Sequence, residues 1–74
     1  MAFNVYCIEV AESNRDKAEK IMGKYCDNGY IDVKSLNPSR RNGISTVQYW
    51  FTCICSEEID AMADELRQNG IEIV

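Results

Sequence analysis

The chain of 74 residues predicts an α+β fold of the form βαββαβ, with two helices on one face of a four-stranded antiparallel sheet. Two observations carry this. Asp27-Asn28-Gly29-Tyr30-Ile31-Asp32-Val33 and Gln68-Asn69-Gly70-Ile71-Glu72-Ile73-Val74 nearly repeat each other. Each stretch also follows an amphipathic helical pattern and opens a short β-type run, so the chain divides into two similar strand–helix–strand halves. The length leaves room for one domain, spanning residues 1–74.

Residues 3–10 alternate as a strand, with Phe3, Val5 and Cys7 on one side and Tyr6, Ile8 and Val10 on the other. A strand apolar on both faces is expected at the centre of a sheet. Ser13 is the expected N-cap of the first helix, with Asp16 placed for a capping contact. Ala18, Ile21, Met22, Tyr25 and Cys26 then form one apolar stripe, which Asn28-Gly29 ends with a left-handed stop. Residues 30–36 read as the second strand, Ile31 and Val33 facing the helices. Pro38, which removes a ladder donor, and the turn pair Asn42-Gly43 mark Asn37 to Gly43 as a loop.

The third strand is expected from Ile44 to Cys55, with Val47, Tyr49, Phe51, Cys53 and Cys55 toward the helices. Ser56 is the expected cap of the second helix, and Glu57 and Glu58 suit the positive end of its dipole. Ile59, Met62, Ala63 and Leu66 form its buried stripe before Asn69-Gly70 ends it. Residues 71–74 close as a short edge strand with Ile71 and Ile73 inward. Right-handed crossovers in both halves give the strand order 4-1-3-2, the ferredoxin-like topology.

Composition narrows function mainly by exclusion. The chain has no histidine, which removes a Ser–His–Asp triad, a Cys–His pair and any imidazole metal ligand. Cys7, Cys26, Cys53 and Cys55 show no C-x2-4-C pair of the zinc-site kind, and they read as reduced core residues able to share one layer. The connection Ala11-Glu12-Ser13-Asn14-Arg15 lacks the glycines of a phosphate-binding loop. No catalytic residue, metal or cofactor is predicted. The N-terminus lacks an export pattern and no apolar run reaches membrane-spanning length, so the expectation is a cytoplasmic protein without membrane attachment.

A net charge of −4 disfavours general attraction to nucleic acid. The second helix concentrates acid, with Glu57, Glu58, Asp60, Asp64 and Glu65 against Arg67, whereas the first helix and the loop with Arg40 and Arg41 are mildly basic. If Val5, Cys7, Phe51 and Cys53 lie under the helices, the open face presents Tyr6, Ile8 and Val10 beside Gln48, Trp50, Thr52 and Ile54. That patch is larger than a small monomer usually exposes. The expected function is therefore a small non-enzymatic regulatory or inhibitory protein that works through protein contacts. The candidate binding residues are Tyr6, Trp50 and Ile54 on the sheet, Arg40 and Arg41 in the loop, and Asp60, Asp64 and Glu65 on the second helix. A protein partner or a homodimer would cover the open face. Two alternatives share the same fold: a dimeric small-molecule-sensing domain, and a single-stranded nucleic-acid binder stacking bases on Tyr6 and Trp50.

Overall fold

A computed structural model describes residues 4–74 and shows β1 (Asn4–Ala11), a 3-10 turn (Glu12–Asn14), α1 (Arg15–Cys26), β2 (Ile31–Arg41), β3 (Ile44–Cys53) and α2 (Ser56–Gln68). The strands form a three-stranded antiparallel sheet in the order β1-β3-β2. This corrects the four-stranded ferredoxin-like expectation. The C-terminal residues make a single bridge, Val10 to Ile73, with the Val74 amide donating to the Glu9 carbonyl at 2.9 Å. The reason is local: the Ile71 amide is bonded back to the Leu66 carbonyl at 3.0 Å and its side chain is buried in the core, so only the last residues reach β1.

Helix-facing residues stack in rows across the sheet: Tyr6, Phe51 and Val33; Ile8, Tyr49 and Leu36; Val10, Val47 and Pro38. The β1 and β3 members of these rows meet Ala18, Ile21, Met22, Ile59, Met62 and Leu66 under α1 and α2, whereas Val33, Leu36 and Pro38 on β2 stay exposed. Burying a side chain such as Phe51 contributes roughly 1.5–3 kcal/mol relative to leaving it exposed. Tyr49 is equally buried and lies stacked against Phe51, with ring centroids 6.4 Å apart.

The first strand has the opposite phase from that expected. Tyr6, Ile8 and Val10 point under the helices, while Val5, at 63% exposure, and Cys7 are on the open face. Glu9 shares the parity of Val5 and Cys7. The predicted phase would have placed its carboxylate in the apolar core without partners, at a cost of several kcal/mol on the order expected for an unpaired buried charge. Phe3, assigned to the same strand from sequence, lies outside the described residues.

The expected Asn37–Gly43 loop is also corrected. β2 continues through Pro38 to Arg41, and a two-residue turn, Asn42-Gly43, closes the hairpin with φ of 51° and 78°. Positive φ at both positions matches the hairpin turn that Asn-Gly favours. Pro38 is tolerated because β2 is an edge strand. β3 ends at Cys53 rather than Cys55. Ser13 lies inside the 3-10 turn and Ser56 opens α2, with no side-chain capping bond at either helix start. Gly29 and Gly70 do adopt the left-handed conformation that stops each helix.

Candidate protein-binding surfaces

The predicted site residues are not brought together. Tyr6 and Trp50 lie on opposite faces of the sheet, because Tyr6 pairs with Phe51 on the helix side while Trp50 pairs with Cys7 on the open side. The apolar platform built on Tyr6, Ile8 and Val10 is therefore absent, and so is the paired-aromatic stacking site. Ile54 is exposed just beyond β3. Arg40 is exposed near the hairpin tip, whereas Arg41 donates its Nε to Glu9 Oε1 at 3.0 Å. On α2, Asp60 and Asp64 are exposed, but Glu65 is tied to Lys24 and accepts a 2.8 Å bond from the Tyr25 hydroxyl. Lys24 first and Tyr25 second hold the Glu65 carboxyl below the usual carboxylate range.

The open face is polar at its hairpin end. Glu9, only 3% exposed, accepts bonds from Thr46 Oγ1 at 2.5 Å, Arg41 Nε at 3.0 Å and Gln48 Nε2 at 3.3 Å. The Thr46 hydroxyl, more than Arg41 and Gln48, holds this carboxyl below its ordinary pKa against the opposing effect of burial. Sequence reasoning missed Glu9. The signal was present, since a single charge at the parity of Val5 and Cys7 marks which face is open. Cys7 lies on that face, Cys26 and Cys55 are half-buried and Cys53 is buried, so the cysteines do not share a layer. Burial pushes the Cys7 thiol pKa up and the Glu9 charge adds to it, against the opposing charge of Arg41.

A groove of about 380 Å³ runs between α1 and the β2–β3 side of the sheet, lined by Met22, Gly23, Cys26, Val33, Leu36 and Tyr49 with Arg15 and Glu19 at one end. Glu19 Oε2 receives Arg15 Nε at 2.9 Å and the Tyr49 hydroxyl at 2.8 Å. The Tyr49 bond, then Arg15, lowers the Glu19 pKa, while burial followed by the Glu19 bond raises that of Tyr49. The polar end is thus internally satisfied.

The two sheet edges differ sharply. In an antiparallel ladder, alternate residues turn their backbone groups away from the partner strand. On β2, Arg41 and Ile44 close the turn as a bonded pair, so Pro38 and Arg40 turn outward. That edge also has a bulge between Val33 and Ser35, with Lys34 at the irregularity. Proline, bulge and charge are the devices that stop an edge from recruiting another strand. On β1, the Glu9 carbonyl faces outward to accept Val74, and the same alternation turns the backbone groups of Val5 and Cys7 outward. Among the described residues nothing pairs with this edge from Asn4 to Ile8, and Asn4-Val5-Tyr6-Cys7-Ile8 contains neither proline nor charge.

Comparison with protein-family models, curated proteins and solved structures finds no match in any of the three. Among the described residues no helix is long and apolar enough to cross a membrane, and no group of three or more Cys, Asp or Glu is arranged to hold a metal ion.

Proposed function

We propose that this chain is a small non-enzymatic regulatory or inhibitory protein that binds its partner by taking a partner strand onto the outer edge of β1. The unguarded run from Asn4 to Ile8, beside an edge on β2 that is guarded three ways, is the observation that carries the reading. Main-chain hydrogen bonds to Val5 and Cys7 would supply affinity, and side chains on the two faces of the added strand would supply selectivity. The test is selection of extended peptides on the immobilised chain, wild type beside Cys7→Pro. Proline at position 7 removes an outward amide without removing a β1–β3 bond. Peptides recovered by wild type should be lost with Cys7→Pro, and a peptide set retained equally by both would overturn the reading.

The groove beneath α1 supports the small-molecule alternative, because its apolar lining ends at Arg15 and Glu19, just after the turn that follows β1. A metabolite bound there would raise the melting temperature with concentration. Leu36→Lys, on the exposed wall of the groove, would remove that rise without affecting peptide capture.

A further inference from the structure

Resting on that reading, we infer that the strand accepted by β1 is an extended segment of a different protein that alternates apolar residues with lysine or arginine. Its apolar side chains lie beside Val5 and Cys7 on the open face, and its basic side chains lie beside the first turns of α2.

The placement of α2 supplies the argument. Cys53, just before α2, pairs with Asn4, and Ile73, just after it, bridges to Val10. α2 therefore runs alongside β1, against β1 and β3, with its N-terminal turns level with the open part of the edge. Those turns carry Glu57, Glu58 and Asp60; Asp64 follows a turn later, paired at 3.3 Å with Arg67, which enters only in the last turn. The Tyr25 contacts to Ala61 and Glu65 identify the flank of α2 that faces α1. Helical spacing puts Asp60 on the opposite flank, above the free β1 edge, with Glu57 and Asp64 on the solvent side. Both Asp60 and Asp64 are exposed.

The same arrangement argues against a second copy as the occupant. Pairing β1 with β1 of another molecule would bring the acidic N-terminal halves of two α2 helices onto the same face of one continuous sheet, a juxtaposition of like charge. Pairing β1 with β2 of another molecule would meet Pro38, Lys34 and the bulge. A basic partner strand meets neither obstacle, and its charge complements the flank it would lie against.

The experiment titrates the full chain with two blocked octapeptides, one alternating Val with Lys and the other alternating Val with Glu. The emission of Trp50, the chain's single tryptophan and the cross-strand neighbour of Cys7, is the signal. The Val/Lys peptide should bind about tenfold more tightly, with a preference that shrinks as salt rises. Asp60→Lys should reduce Val/Lys affinity about tenfold, whereas Asp32→Lys, the same charge change on the far edge, should alter it by less than about twofold. Equal losses in the two variants, equal affinity for the two peptides, or no Val/Lys binding up to millimolar concentration would overturn the inference about partner chemistry. Binding undiminished by Cys7→Pro, with an unchanged circular dichroism spectrum, would instead overturn the edge reading itself. Sedimentation of the wild type as a dimer that Cys7→Pro dissociates would assign the edge to a second copy and overturn the inference.

Discussion

β1 and β2 are both edge strands of one small sheet, paired to the same central β3, yet only β2 has the features that keep other strands away. A bulge, a proline and exposed Lys34 and Arg40 interrupt its free side, whereas the free side of β1 presents Val5 and Cys7 without interruption. An edge can be blunted with few residues, proline and lysine among them. Leaving one blunted and its counterpart plain, in the same 74 residues, points to use of the plain one.

Removing what the edges share is the harshest way to break the contrast. Phe51 lies between Tyr6 on β1 and Val33 on β2, so Phe51→Ala should cost about 3–5 kcal/mol and loosen both edges together, read as a lowered urea midpoint. An effect confined to one edge comes from the turn. Gly43 has a φ of 78° with open space where a Cβ would stand, so Gly43→Ala should cost roughly 1–2 kcal/mol through backbone strain alone. Amide exchange should then rise along the β2–β3 tip and stay nearly unchanged at Tyr6 and Ile8.

Acidification addresses the link between the edges, because Glu9 on β1 is held by Thr46 on β3 and Arg41 on β2. The folded-state pKa values of Glu9, Glu19 and Glu65 are all lowered, so the unfolded chain binds more protons in the acid range. Their contribution is fully present above the unfolded glutamate value of about 4.3 and is lost as pH falls through the lower folded values. Urea midpoints should therefore be level from neutrality to about pH 5 and drop below that. Glu9→Gln should flatten part of the drop.

The smallest change in stability and the sharpest test of edge protection is Pro38→Val, expected to alter folding by less than about 0.5 kcal/mol while restoring an outward amide on β2. Sedimentation should show new concentration-dependent association. If it shows none, Lys34 and the bulge are enough by themselves to block β2.

Much of this architecture was legible beforehand. The helix stripes, the Asn-Gly stops after α1 and α2, the helix-facing phase of Val47, Tyr49, Phe51 and Cys53, and the adjacency β1-β3-β2 all follow from periodicity and connection rules. The candidate site was much less legible. Between Val5 and Ile8 both faces of β1 are apolar, so the one sequence signal for its direction was Glu9 on the parity of Val5 and Cys7, and the pairing of Glu9 with Thr46, Gln48 and Arg41 shows why that signal is decisive. Pro38 looked like a loop residue because local chemistry does not reveal whether a strand is internal or at an edge.

From the residues alone came the two helices and the three strands in their chain order, since hydrophobic spacing and turn chemistry act over a few neighbouring positions, but the same signals also gave a fourth strand and an Asn37–Gly43 loop that the fold does not contain. Which side of β1 faces the helices, how far the C-terminal residues follow it and which backbone groups stay free emerged only in the folded chain. Those properties depend on strand register and on the burial of Ile71 beside α2, contacts between residues far apart in sequence.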